Sequence, residues 1–158
     1  MTILGIDPGS TRVGYGAIKC EHGELLYISS GILSIPRDTK PNQLVSLETA
    51  LSKLIAGLNP DRVVIERLFV TRNQKTAIEV AQARGVIVAT IAKHRLPLVE
   101  LTPSEIKLAV AGDGRASKGG VSLMVTRLLS LPKARVLDDI TDALAAAIAG
   151  SGRLAETR

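Results

Sequence analysis

The order of strand-like and helix-like segments is the feature that most restricts the fold of this chain. Three strand patterns come first, joined by short turns, and cover residues 2–7, 13–19 and 25–35. Short links between such patterns are typical of an antiparallel meander. Residues 63–65 then form a short apolar run that predicts a buried parallel strand, and residues 97–101 predict a fifth strand.

Helical patterns separate and follow these later strands. The first begins at Pro41, has apolar residues three and four positions apart, and ends at Asn59-Pro60. Further helices are predicted at about 74–93, after Thr102, at about 117–129 and at about 138–149. Thr102 and Glu105 have the spacing of a capping box. This order predicts an α/β domain in which a mixed five-stranded sheet is flanked by helices.

The length and composition of the chain fit one globular domain. Its 158 residues are enough to enclose a core, and 46% of them are hydrophobic, which argues against disorder. Aromatic residues make up only 2%, so the core must consist mainly of leucine, isoleucine, valine and alanine. We expect one domain over residues 1–150 and a short tail over residues 151–158.

Basic residues are concentrated in the second half of the chain. The segment from Lys93 to Arg135 contains eight lysines and arginines and three acids, so it accounts for the whole net charge of +5. A basic segment within a folded domain suggests a polyanionic partner such as nucleic acid. A solvated surface without a partner is the simpler alternative.

The single cysteine, Cys20, cannot form an intramolecular disulfide, which favours a reducing compartment. The sequence has no basic and apolar signal segment at its start, and no apolar run of the ~18 residues typical of a membrane span. We therefore expect a cytoplasmic protein.

Two acidic residues directly follow predicted strands. Asp7 precedes Pro8-Gly9, where an aspartate is also common simply as a turn residue. Glu66 ends the run 63–65, where a solvated glutamate at the start of a loop is the alternative. Ligand sites of open α/β sheets lie at the carboxyl ends of strands. Asp7 and Glu66 are therefore candidates for one site.

Asp138, Asp139 and Asp142 form a third acidic group, at the start of the last predicted helix. Acids at a helix N-terminus stabilise it by capping and through the helix dipole, but capping requires only one of the three. Spacings of both three and four residues place a carboxylate on the same helix face as Asp142. The sequence thus leaves open whether Asp138 or Asp139 acts together with Asp142.

Crowded carboxylates repel one another unless a cation is present, and oxygen ligands are what a hard cation such as Mg²⁺ prefers. Zinc is not indicated, because the sequence has no Cys/His cluster, and we interpret His22 and His94 as structural or surface residues. Two ions roughly 3.5–4 Å apart would activate water and stabilise the leaving oxygen in phosphodiester hydrolysis. The acids therefore predict a site for Mg²⁺, with Mn²⁺ as an alternative.

Four motifs resemble those of RuvC-type Holliday-junction resolvases and follow the same order over about residues 3–148. In chain order they are Gly5-Ile6-Asp7-Pro8-Gly9; Ile65-Glu66-Arg67-Leu68-Phe69 with Asn73 and Ala81-Gln82-Ala83-Arg84-Gly85-Val86; Gly112-x-Gly114-x-Ala116-x-Lys118; and Asp139-x-x-Asp142-Ala143-Leu144. Each motif alone is weak, whereas all four together are highly specific.

The resemblance implies a ribonuclease-H-like fold and a homodimer that makes paired, symmetric nicks, in strands of like polarity, at a four-way DNA junction. It implies cooperation with a branch-migration complex of the RuvA and RuvB type during recombination and repair. It assigns catalysis and metal binding to Asp7, Glu66, Asp139 and Asp142. It implies DNA contacts by Phe69, Lys107 and Lys118, with Arg72 and Arg115 as further candidates.

Simpler interpretations of these residues stay open, as do three other functions. Phe69 is an ordinary core residue if it does not stack on a base, and Lys107 and Lys118 are solvated if they do not bind phosphate. The alternatives to a resolvase are a related nuclease acting on RNA or an RNA–DNA hybrid, and a non-catalytic junction-binding module. A phosphotransferase of the actin and sugar-kinase type would need two such domains, and 158 residues hold only one.

Overall fold

The computed structural model describes residues 1–9, 12–67, 74–132 and 137–152, with residues 74–76 described by their backbone alone. Its five strands are β1 (Thr2–Pro8), β2 (Val13–Glu21), β3 (Glu24–Leu33), β4 (Arg62–Glu66) and β5 (Leu98–Leu101). They form one sheet in the order β3-β2-β1-β4-β5. The pairs β1–β2 and β2–β3 are antiparallel, whereas β1–β4 and β4–β5 are parallel. The predicted meander and mixed five-stranded sheet are confirmed.

Five helices within the described residues cover the sheet. They are α1 (Lys40–Leu58), α2 (Gln74–Lys93), α3 (Pro103–Ala111), α4 (Lys118–Leu128) and α5 (Asp138–Ser151). The capping box at α3 is confirmed, because the Thr102 hydroxyl accepts from the Glu105 N–H and the Glu105 carboxylate accepts from the Thr102 N–H. Residues 153–158 of the expected tail lie outside the described part of the chain.

The start of α4 is determined by a serine cap. The Ser117 hydroxyl accepts a hydrogen bond from the Gly120 N–H at 3.1 Å, which satisfies one of the free donors of a helix N-terminus. Gly119 and Gly120 therefore lie in the first turn of the helix, and the loop between α3 and α4 is limited to residues 112–117.

The sheet separates two apolar layers, as the alternation of side chains along a strand requires. In β1, Ile3 faces a layer built with α3, α4 and α5, whereas Leu4 and Ile6 face a layer built with α1 and α2. Aliphatic and alanine residues make up nearly all of both layers, as the scarcity of aromatic residues predicted. No helix within the described residues is long and apolar enough to cross a membrane.

Helix α5 lies unusually close to the sheet because three glycines of β1 and β2 face it. A Cβ atom at Gly5 would collide with the main-chain oxygen of Ala143, and one at Gly14 would collide with that of Asp139. A Cβ at Gly16 would lie within 2.8 Å of the Leu144 amide nitrogen. The absence of these three side chains thus determines how deeply the first turns of α5 sit on the sheet.

Candidate active site

Asp7 and Glu66 lie side by side at the carboxyl ends of two neighbouring strands. Their strands, β1 and β4, are parallel neighbours in which Ile6 pairs with Ile65, so the next residue of each strand is one of the two acids. The alternation of side chains places Asp7 and Glu66 on the same face as Ile3 and Val64, which is the face covered by α5. The predicted meeting of two strand-end acids is confirmed by this register.

Asp139 and Asp142 reach the same place from the first turns of α5. The N-cap residue of α5 is Leu137, which makes no side-chain capping bond. Asp7, Glu66, Asp139 and Asp142 all line an open cavity of about 520 Å³, which we call the catalytic cavity. Asp138 is exposed and does not line it.

Mutual repulsion and burial raise the pKa values of three of these acids. Burial is the main cause at Asp7, and Asp142, Glu66 and Asp139 add to it, so that its pKa rises from 3.8 to about 7. Burial also raises the pKa of Glu66, with a further contribution from Asp142. The acids are therefore close enough to oppose one another's ionisation.

Two lysines supply positive charge to this cavity. Lys107 of α3 and Lys118 of α4 both line it, and each acts to lower the pKa of Glu66. The Lys118 ammonium lies 3.5 Å from the Asp142 carboxylate, which raises the lysine pKa. At Asp142, burial raises the pKa of the carboxyl more than Lys118 lowers it, so this pKa is raised overall.

Arg12 is a basic residue of the site that was not predicted from the sequence. It precedes β2, and its Nε lies 3.6 Å from a carboxylate oxygen of Asp139. The arginine side chain is 62% exposed, so the pair adds little to stability. A single arginine beside a turn carries no pattern that would reveal this pairing in the sequence.

The donor set of the catalytic cavity suits a hard divalent cation, because four carboxylates provide only oxygen ligands. Within the described residues, no group of three His, Cys, Asp or Glu side chains is arranged as a ready metal site. Two of the four acids contact basic groups instead, Asp139 with Arg12 and Asp142 with Lys118. The residues fit the metal chemically, and Arg12 and Lys118 balance part of the negative charge of these carboxylates.

The remaining predicted DNA-binding residues are Phe69, Arg72 and Arg115. Phe69 and Arg72 lie outside the described residues. Arg115 is exposed in the loop before α4, where its N–H donates to Asp113 at 2.8 Å, and it does not line the cavity. Arg67 does line the cavity, although it was predicted only as part of a motif and not as a site residue.

The sheet order and the helices on both faces define a ribonuclease-H-like domain, as predicted. Residues 3–150 match the family model of crossover junction endodeoxyribonuclease RuvC. The protein of that name from Syntrophomonas wolfei is 43% identical over 149 residues, which cover 94% of this chain and 87% of the relative. The chain therefore belongs to the crossover junction endodeoxyribonuclease RuvC family.

Solved structures agree with this assignment. The structure of T. thermophilus RuvC in complex with Holliday junction substrate superposes with a TM-score of 0.89 at 26% identity, and the match covers 96% of this chain and 93% of that chain. The yeast mitochondrial Holliday junction resolvase Ydc2 shares the fold at a TM-score of 0.69 and 17% identity, over 93% of this chain and 76% of that one. Nucleases of the RuvC family depend on a metal ion.

Proposed function

We propose that this chain resolves Holliday junctions in recombination and repair by paired, symmetric nicks in strands of like polarity. Members of its family are nucleases that hydrolyse DNA phosphodiester bonds. The observation that carries the proposal is the catalytic cavity, in which four carboxylates from β1, β4 and α5 lie beside two lysines. Oxygen ligands and adjacent positive charge are what hydrolysis of a phosphodiester requires.

Asp7, Glu66, Asp139 and Asp142 are the residues that would hold the metal, and we propose two Mg²⁺ ions, with Mn²⁺ as a substitute. When bound, such ions lower the pKa of water and stabilise the leaving oxygen. Asp7 lies on a buried strand and Asp142 on a helix packed against it, so their carboxylates are held in fixed relative positions. These fixed positions support the proposal that much of the acceleration of DNA cleavage comes from holding the reacting groups in place.

Lys107 and Lys118 are proposed to contact the backbone phosphate at the cut. Both lysines line the cavity with the acids, and Lys118 extends from the first turn of α4, where backbone N–H groups are available to an anion. With DNA bound, the Lys118 ammonium would leave the Asp142 carboxylate and contact the phosphate. Phe69, Arg72 and Arg115 stay predicted contacts to the junction.

A homodimer would give the paired nicks, because a two-fold axis presents two identical sites to two symmetry-related strands. Exposed apolar side chains on α1 and α2 support a dimer contact through these helices, since Val45 of α1 is 65% exposed and Ile78 of α2 is 61% exposed. A cavity of about 330 Å³ between these helices is lined by Leu44, Val86 and Ala89 among others. Cooperation with a RuvA- and RuvB-type complex and a cytoplasmic location are part of the same proposal.

A comparison of substrates tests the proposed function. The protein is incubated with a synthetic four-way junction, a linear duplex, an RNA–DNA hybrid and a structured RNA, each with Mg²⁺ and with a chelator. We expect metal-dependent nicks in the junction alone, at matching positions on two opposing strands. Preferred cleavage of the hybrid or the RNA would favour the related nuclease, and binding without cleavage would favour a non-catalytic module.

A further inference from the structure

A second cavity lies on the opposite face of the sheet from α5. Its volume is about 690 Å³, and it is lined by the segment after β3, the first turns of α1 and the middle of α2. Leu47 and Ala83 form its buried apolar floor. Its polar lining consists of Arg12, Arg37, Lys40 and Gln43. We call it the Arg37 cavity.

The charge of the Arg37 cavity is positive. Of the nine lining residues that the structure describes, three are basic and none is acidic. Arg37 is exposed and makes no ion pair within the described part of the chain. The one acid beside it in sequence, Asp38, accepts hydrogen bonds from the Thr39 N–H at 2.6 Å and from the Asn42 side chain at 3.0 Å.

The start of helix α1 adds to this positive field. The helix has no acid in its first turn, and its N-cap residue, Thr39, makes no side-chain capping bond. A helix N-terminus carries partial positive charge, which favours an anion. The helix end and the basic side chains of the cavity thus favour the same kind of ligand.

Arg12 connects the Arg37 cavity to the catalytic cavity. It lines the former, and its guanidinium contacts Asp139, which lines the latter. The chain between them is short as well, because Asp7 and Pro8 line the catalytic cavity and Gly9 lines the second one. A polyanion seated at the acids would therefore reach Arg12 and Arg37 by crossing one edge of the sheet.

We propose that the Arg37 cavity binds a backbone phosphate of the junction DNA a few nucleotides from the scissile bond, on the side away from Lys107 and Lys118. The inference rests on the proposed function, since it names a second contact of the same DNA. Arg37 and Lys40 contact the phosphate, and Arg12 lies between this site and the acids of the catalytic cavity. The strand is thereby held on both sides of the cut, which fixes its position without reading its bases.

The test removes charge from the cavity and then from the DNA. Affinity for a four-way junction is measured across a range of salt, in chelator to prevent cleavage, for wild type, Arg37→Gln and Arg37→Gln/Lys40→Gln. Lys53→Gln is the matched control, because Lys53 is an exposed lysine of the same helix that does not line the cavity. Each lost phosphate contact should make the slope of log affinity against log salt shallower by roughly 0.9. The control should match wild type.

Neutral methylphosphonate linkages, placed one at a time along the nicked strand, then locate the contact. Wild type should lose affinity for at least one linkage outside the scissile position, and Arg37→Gln/Lys40→Gln should be insensitive to that same linkage. Arg37→Lys, which keeps the charge, should keep most of the affinity. Inorganic phosphate, added up to high millimolar concentration, should change the junction affinity of wild type and of Arg37→Gln to the same extent. A different effect on the two proteins would show that the site takes free anions rather than DNA, and would overturn the proposal.

The outcomes separate this inference from the proposed function. If wild type neither binds nor cleaves the junction, the proposed function fails and the cavity has no DNA to contact. If wild type cleaves the junction but Arg37→Gln and the double variant match Lys53→Gln in affinity and salt slope, only the inference about the Arg37 cavity is wrong. Arg37 is exposed, so loss of folding should not obscure the result, and thermal melts verify this.

Discussion

Gly14 of β2 packs directly against the main-chain oxygen of Asp139, with no space between them for a side chain. This contact connects the meander to the first turn of α5 and determines the depth at which Asp139 and Asp142 face Asp7. A glycine in the middle of a strand weakens the sheet in itself. Here the lower stability of the strand is offset by the close packing of α5, the helix that carries Asp139 and Asp142.

We expect Gly14→Ala to displace α5 and to reduce both stability and cleavage. Overpacking of this kind typically costs about 1–3 kcal/mol, and a shift of the helix would separate the acids. Gly57→Ala is the control, because Gly57 is exposed in α1 with nothing within 4 Å of the added methyl group. That variant should be neutral or more stable by up to about 1 kcal/mol. Denaturant melts and nicking rates measure both effects, and an unperturbed Gly14→Ala protein would show that α5 is free to adjust.

Asp139→Asn should be far more damaging to cleavage than Asp138→Asn. Asp139 lines the catalytic cavity with Asp142, whereas Asp138 is exposed and does not line it. Loss of one charge-stabilising group in a catalytic site commonly lowers the rate by about 100-fold or more. We therefore expect such a loss for Asp139→Asn and at most a several-fold effect for Asp138→Asn, in single-turnover nicking of a junction. The reverse ranking would mean that the acidic motif lies one residue earlier than we propose.

The metal-free protein should become less stable as pH rises, because of Asp7. Its pKa is raised to about 7 in the folded protein from the ordinary 3.8, so the folded state binds this proton more tightly than the unfolded chain does. The contribution of Asp7 is therefore most favourable below pH ~4, and it is lost progressively up to about pH 7. Asparagine does not titrate, so Asp7→Asn removes this dependence.

In chelator, the stability advantage of Asp7→Asn over wild type should grow between pH 4 and pH 7 and then level off. The shift in pKa sets an upper limit of about 4 kcal/mol, at ~1.4 kcal/mol for each pH unit. Urea unfolding at pH 5 and pH 8 measures the difference. Equal differences at the two pH values would show that Asp7 is not destabilised by burial and its acidic neighbours.

Lys107→Ala and Lys118→Ala should each weaken junction binding equally for all base sequences, because phosphate contacts carry little sequence information. Each should also make the salt slope shallower by roughly 0.9. A lysine that acts only in the transition state would lower the nicking rate and leave binding and its salt slope unchanged. An unchanged salt slope together with an unchanged nicking rate would exclude that lysine from the site. Lys53→Ala is the control, and we expect it to change neither quantity.

The strands and the pairing of Asp7 with Glu66 could be predicted from the sequence because both depend on local patterns. A strand that ends in an acid places that acid at the sheet edge, and parallel neighbours bring two such ends together, as the Ile6–Ile65 register shows. The bounds of α2 were also predicted, since small and apolar residues recur between Ala77 and Ala92.

The choice between Asp138 and Asp139 could not be made from spacing alone, because both lie on the same side of a helix as Asp142. Only the resemblance to the resolvase motif favoured Asp139. The rotation of α5 on the sheet decides which carboxylate faces the cavity, and that rotation depends on contacts with Gly5, Gly14 and Gly16. Such long-range packing leaves no periodic signal. The pairing of Arg12 with Asp139 was missed for the same reason.

Cleavage by Asp7→Asn and Glu66→Gln tests the central claim, that the carboxylates of the catalytic cavity make this protein a metal-dependent junction nuclease. Both variants and wild type are incubated with a labelled four-way junction at increasing Mg²⁺ concentration, and binding is measured in parallel in chelator. We predict that both variants bind the junction as tightly as wild type or more tightly, since negative charge near phosphate has been removed, and that neither nicks it at any Mg²⁺ concentration. Nicking by either variant at close to the wild-type rate would contradict the account.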